Sequence, residues 1–183
     1  IITDNFVTEK GDGWLFGASA TVDIPHKWYN MSYIIQLSEN TIGVSARAPL
    51  LSTNEFVDYK IFTAQIALKA HVKIIKSFLT LDIGPMLQYN SELEIKDDKQ
   101  KDYIITNYDD LRAEDIAKIS QINFNGTAGL SAGYSHFRLK AQYIYGFTNM
   151  LNKLNKNDLN VGSNNKKFKG NQSMMVFTLM ITF

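Results

Sequence analysis

The chain has 183 residues, a formal net charge of +1, 45% hydrophobic residues and no cysteine. That length holds one substantial domain (1–183), the near-zero charge speaks against nucleic acid as a partner, and the missing thiols exclude disulfides and thiolate metal sites. No run approaches the ~20 apolar residues of a membrane helix, so a membrane protein of this composition has to cross as a closed β-barrel.

The chain starts on Ile1 rather than on an initiator Met, so any leader peptide precedes this residue. From there the dominant signal is alternation with a period of two, which marks strands with unlike faces. Trp14, Phe16, Ala18, Ala20, Val22 and Ile24 oppose Leu15, Gly17, Ser19, Thr21 and Asp23. Met31 to Ala46 changes phase: Tyr33, Ile35 and Leu37 lie in one phase, Ile42, Val44 and Ala46 in the other. A β-bulge near Ser38 to Thr41 within one long strand accounts for the change; a tight turn there, making two short strands, is the alternative.

Phe62, Ala64, Ile66, Leu68, Ala70 and Val72 oppose Thr63, Gln65, Ala67, Lys69 and His71. Leu79, Leu81, Ile83, Pro85, Leu87 and Tyr89 oppose Thr80, Asp82, Gly84, Met86, Gln88 and Asn90. Gln121–Tyr134 and Leu139–Thr148 repeat the pattern, and the last strand carries Met175, Phe177, Leu179, Ile181 and Phe183 on its apolar face. Short connections near Pro25–Asn30, Lys73–Lys76 and Tyr134–His136 alternate with long ones near Pro49–Phe56, Ser91–Lys118 and Asn149–Gly170, as in outer-membrane barrels. Within the long ones, Asp110–Ile119 reads as a short helix, and the Asn- and Lys-rich Asn149–Gly170 reads as mobile.

The apolar face of the clear strands has no ionised residue, whereas the other carries Asp23, Lys69, His71, Asp82, Arg138 and Lys140 among small polar residues. A Lys or Arg facing mid-bilayer lipid costs ~2–4 kcal/mol. The expectation is therefore an all-β, antiparallel, up-and-down transmembrane barrel with the apolar face on lipid. The six ionisable residues then form a lumen network that plugs the barrel, because unpaired buried charge is expensive. Phe78, Tyr134 and Phe183 near the short turns, and Trp14, Tyr89, Phe124 and Phe147 near the long loops, read as two interfacial girdles.

The closing stretch "MMVFTLMITF" resembles the C-terminal signal of bacterial outer-membrane barrels, with Met175, Phe177, Leu179, Ile181 and Phe183 in the alternate positions. "LDIGPMLQYN" and "GLSAGYSHFRLKAQYIYGFTNML" are similar to the PorT-like outer-membrane β-barrel family of Bacteroidetes, a small OmpA/OmpX-type barrel. The resemblance spans Trp14 to Phe183. It implies eight strands, an outer-membrane location, insertion by the barrel assembly machinery and contact with outer-membrane lipid and lipopolysaccharide. The family's namesake is tied to protein secretion. Seven strands are legible here. The eighth is expected upstream of Ile1, from the Ser38–Thr41 turn alternative, or from another chain.

Catalytic chemistry is not legible in the spacing. His26 and His136 fall in expected turns, and Ser135-His136 has no acid beside it. The His-x-Ser arrangement of outer-membrane lipid A deacylases is absent, since Phe137 and Arg138 follow His136. Asp109, Asp110, Glu114 and Asp115 lack the glycine and spacing of an EF-hand. Asn125-Gly-Thr and Asn171-Gln-Ser are sequons on expected strands, and Lys166, Lys167 and Lys169 form a basic cluster within reach of lipopolysaccharide phosphates. The expected function is non-enzymatic, without cofactor or metal: a membrane-anchored scaffold or accessory subunit in secretion or surface assembly, with any protein partner at the long loops. The alternatives are a soluble calycin-like barrel holding a lipophile, or a narrow pore.

Overall fold

The computed structural model describes residues 1–49, 53–157, 159, 161 and 167–183. Its strands, in chain order, are β1 (Ile2–Thr3), β2 (Thr8–Val22), β3 (Tyr29–Arg47), β4 (Asn54–Ile75), β5 (Leu79–Asn90), β6 (Glu94–Ile95), β7 (Ile104–Ile105), β8 (Ile122–Tyr134), β9 (Phe137–Gly146), β10 (Gly170–Asn171) and β11 (Ser173–Ile181). Seven of these form the wall, paired antiparallel in the order β2-β3-β4-β5-β8-β9-β11, a nearly closed up-and-down barrel. The seven expected strands are present, with the expected alternation over most of their length. At one end, here the inner end, the connections are tight, and His26, Lys76 and Ser135 adopt left-handed φ of 64°, 47° and 57° to turn the chain.

The alternating faces sort as expected. Phe177, Tyr143 and Ile83 point outward, with exposures of 78%, 40% and 52%. The glutamines, serines and threonines between them are buried toward the axis.

The phase change in β3 has a different cause from the expected bulge. β3 is one continuous strand, and its register against β4 is unbroken from Tyr29↔Val72 to Arg47↔Asn54. A turn at Ser38–Thr41 is likewise absent. The irregularity lies on the neighbouring strand, between Lys10 and Gly13 of β2. Along β3 the even residues keep facing inward, but their chemistry changes. Ser32, Gln36 and Ser38 give way to Ile42, Val44 and Ala46, while the outward residues pass from Tyr33, Ile35 and Leu37 to Glu39 and Thr41. β4 does the same: inward Val57, Tyr59 and Ile61 precede Thr63 and Gln65, while outward Asp58 and Lys60 precede Phe62 and Ile66. The register aligns the two changes, pairing Glu39 with Phe62 and with Trp14 of β2. The barrel therefore has a belt that is greasy outside and polar within, and above it an outer cap that is polar outside and greasy within.

The cap owes its core to the long loops. Val44, Val57, Tyr59 and Ile61 from the wall pack with Leu93, Ile105, Leu111, Ile116 and Ile119 from the β5–β8 connection. Met150, Leu151, Leu154 and Phe168 complete this core, so the described part of Asn149–Gly170 is packed rather than mobile. Four buried apolar side chains in a polar loop, each stabilising by ~1.5–3 kcal/mol, decide its fate. The helix expected over Asp110–Ile119 is a single 3-10 turn, Ala113–Ala117, capped by Asp115 accepting from the Arg112 N–H at 3.0 Å.

Closure is incomplete between β2 and β11, which share no ladder. Because the seven strands alternate in direction, these two edges run in the same sense. They are tied at the outer end, where β1 pairs with β10 (Ile2↔Asn171, Thr3↔Gly170) and Lys169 N–H donates to Asn5 Oδ1 at 2.9 Å.

Candidate functional site in the barrel lumen

Below the cap the lumen is filled in layers, each set by one inward position per strand. The outermost layer is amide and hydroxyl. Ser38 and Thr63 share a hydrogen bond of 2.7 Å, Gln36 donates to Gln65, Gln65 donates to Gln88 at 2.7 Å, and Asn125 donates to Gln88 at 2.8 Å. These side chains come from β3, β4, β5 and β8, and they link each strand to its neighbour along the inner wall. Next comes an apolar waist of Ile34, Ala67, Met86 and Ile144.

The charged layer follows. Lys69 donates to Gln142 Oε1. Asp82 Oδ1 accepts from Thr80 Oγ1 at 2.7 Å and lies 2.7 Å from His71 Nδ1. Lys140 Nζ stands 3.2 Å from Asp82 Oδ2, off the hydrogen-bonding direction, so that oxygen is ion-paired without accepting a hydrogen bond. Strand register produces this meeting, because His71 sits directly opposite Asp82. Arg138 closes the layer toward the inner end, donating to Ser131 Oγ at 3.1 Å and to the Ser77 carbonyl.

Five of the six expected lumen residues are thus inside, and four of them, Lys69, His71, Asp82 and Lys140, lie in one buried cluster. Asp23 is not part of it. Its side chain is 74% exposed at the inner rim, where it pairs with Lys73 at 3.1 Å. It lies just past the end of β2, where the alternation that placed it inward has stopped. The residues Met175, Phe177, Leu179, Ile181 and Phe183 all lie on the outward face.

Ser32 was not legible as a site residue. Its Oγ lies 2.6 Å from His71 Nε2, and Thr21 Oγ1 is 2.7 Å from the same oxygen. Ser32, His71 and Asp82 stand on β3, β4 and β5, so no linear spacing could join them; only the register of three strands does. Linear spacing does not reach this Ser, His and acid cluster, whose contacts are Ser32 to His71 and His71 to Asp82. Ser135 and His136 do touch, at 2.8 Å, in the exposed inner turn. A cavity of about 520 Å³ opens between the apolar waist and the inner end, lined by Ser32, His71, Asp82, Arg138 and Lys140 among others. Among the described residues no group of three or more His, Asp and Glu side chains gathers as a metal site. Lys166 lies outside the described residues, while Lys167 and Lys169 flank the buried Phe168 and are exposed.

Fold and site together define an antiparallel β-barrel with a largely polar lumen crossed by layers of side chains and an apolar outer belt. Comparison with protein-family models, with curated proteins and with solved structures gave no match.

Proposed function

We propose that this chain is a bacterial outer-membrane β-barrel that serves as a membrane-anchored scaffold or accessory subunit, with its outer cap as the contact surface. One observation carries the proposal. On β3 and β4 both faces exchange polarity at a single level, marked by Glu39 and Phe62, and Trp14 on β2 marks the same level on the outer face. A wall surrounded by water has no reason to invert both faces at one height. A wall that leaves lipid and enters water does, since burial against solvent reverses sign there.

The dimensions agree. β9 and β11 are 10 and 9 residues long, against ~9–11 for a membrane-crossing strand. Exposed Trp14, Phe62, Tyr89, Phe124 and Phe147 ring the outer boundary, and Trp28, Phe78, Tyr134, Phe137 and Phe183 ring the inner one, the positions that interfacial aromatics occupy. Within the belt a single thin apolar waist lies between amide and charge layers, which favours a plug of side chains over a lipophile site or a pore. The outward array Met175 to Phe183 suits recognition by the barrel assembly machinery, and Lys167 with Lys169 suits lipopolysaccharide phosphates. The resemblance to PorT-like barrels extends the proposal to secretion or surface assembly.

In lipid the free edges of β2 and β11 would leave backbone groups unsatisfied at several kcal/mol each. An eighth strand, running from inner to outer end and antiparallel to both edges, satisfies both rows and gives an even-numbered barrel. A segment before Ile1 would enter β2 at the correct end. Extraction tests the membrane assignment: the protein stays in the membrane fraction through alkaline and urea washes and needs detergent, and recovery in the aqueous fraction would overturn it. Cysteines on Phe16, Ala18 or Ala20 paired with ones on Phe177, Leu179 or Ile181 test the eighth strand. With a strand between them, at ~4.8 Å spacing on each side, no pair meets the ~7 Å limit for a disulfide. A ready disulfide would mean that the edges pair directly.

A further inference from the structure

We propose that Ser32, His71 and Asp82 form a nucleophilic relay for acyl-ester chemistry, facing the cavity at the inner mouth of the barrel. The contacts run in the order such chemistry needs: hydroxyl to imidazole Nε2 at 2.6 Å, and imidazole Nδ1 to carboxylate at 2.7 Å. A scaffold role does not call for this order, and the relay goes beyond it.

The relay uses the neutral imidazole: with Asp82 Oδ1 accepting, His71 places its proton on Nδ1 and turns the Nε2 lone pair toward the Ser32 O–H. The Thr21 hydroxyl then serves as donor to Ser32 Oγ, at 2.7 Å. Thr80 donates to Asp82, its own oxygen lies 2.7 Å from Ser131 Oγ, and Arg138 donates to Ser131. Ser32 is thus held by Thr21 of the adjacent β2, and Asp82 by Thr80 of its own strand. Ser32 and Asp82 are buried, yet both border the cavity of about 520 Å³ that reaches the inner end.

The step balances within these groups. Ser32 Oγ attacks the carbonyl carbon of an ester as its proton passes to His71 Nε2. The tetrahedral intermediate collapses, the ester C–O bond breaks, and His71 returns the proton to the departing alkoxide. Water, deprotonated by the same imidazole, then cleaves the acyl-serine, giving a carboxylic acid and free Ser32. Backbone N–H groups in a strand are committed to the ladder, so negative charge on the intermediate has to meet side chains. Arg138 and Lys140 line the same cavity and supply that positive charge. Two cations on the wall of the cavity that the nucleophile borders, together with Ile34, Phe137 and Met180, favour a small ester with a short acyl chain and an anionic group. Ser32 and His71 are the catalytic residues, and Asp82 is a positioning residue that acts through His71.

The test uses the folded protein in detergent and a small fluorophosphonate, which loses fluoride on reaction with an activated serine. The expected result is one phosphonyl adduct by intact mass, mapped to Ser32 and absent from Ser32→Ala. In His71→Gln the inactivation rate constant falls ~10²-fold or more, with the concentration dependence of binding unchanged. Asp82→Asn lowers the same rate constant and Asp82→Glu partly restores it, a pattern that loss of packing alone would not give. Strand circular dichroism confirms folding, and if Asp82→Asn does not fold, Ser32→Ala and His71→Gln decide the matter. Absence of an adduct, or an adduct on Ser135 or elsewhere that persists in Ser32→Ala, overturns the proposal.

Discussion

Asp82 and Asp23 show how differently two carboxylates of the same alternating face are used. Asp82 is enclosed by Lys140, His71 and Thr80, whereas Asp23 meets one lysine in water. Removing one partner of a buried ion pair leaves the other charge uncompensated, at ~3–5 kcal/mol; an exposed pair contributes under ~1 kcal/mol. Urea unfolding in detergent micelles is therefore expected to show Asp82→Ala strongly destabilised and Asp23→Ala near wild type. The face assignment makes an equally sharp contrast between neighbours in β8. Leu130→Arg puts a cation on the apolar belt at ~2–4 kcal/mol and blocks stable insertion. Ser131→Ala removes one lumen hydroxyl, at about 1 kcal/mol, and inserts normally. Equal yields of folded Leu130→Arg and Ser131→Ala in the membrane would put the wrong face on lipid.

At the scale of the element, β3 explains both what could be read from the amino-acid order and what could not. Period-two alternation located the wall strands and their greasy side, because a strand offers each solvent every second residue. The phase change at Ser38–Thr41 was visible too, but a bulge and an exchange of solvents leave the same mark on one strand. Pairing with β4 separates them: Ile61 and Val57 are apolar on the same inward side as Ile42 and Val44. Loop packing was illegible for a related reason. Asn149–Gly170 looks solvated by composition, and its apolar residues have no period; what buries them is the pocket that β3, β4 and the β5–β8 connection build. Phe168 is the keystone of that loop, with ring centroids 5.6 Å from Phe6 and 6.1 Å from Tyr108. Phe168→Ala is expected to cost ~3–5 kcal/mol locally. Limited proteolysis should then cut within Asn149–Gly170 while the belt strands stay protected; loss of the whole barrel would mean that cap and belt share one core.

At the scale of the whole molecule, the two zones have cores of opposite kind, and each needs a different surrounding. The belt keeps hydroxyls, amides and ions inside because its exterior is greasy; the cap keeps leucines and isoleucines inside because its exterior carries Asp58, Lys60 and Glu39. A single solvent would leave one of the zones inside out; the proposed membrane placement resolves this by putting the cap and the tight turns on opposite sides of a boundary. The absence of native cysteine makes this directly measurable. Lys99→Cys places a thiol on the exposed 3-10 turn Asp98–Gln100 of the β5–β8 connection, and His136→Cys places one in the exposed β8–β9 turn. A membrane-impermeant maleimide added to intact cells should modify the first alone, and the second should react only after permeabilisation. Labelling of His136→Cys alone on intact cells would invert the orientation and put the inner mouth, with Ser32 behind it, toward the medium. Labelling of both thiols on intact cells would show that no membrane separates the two ends.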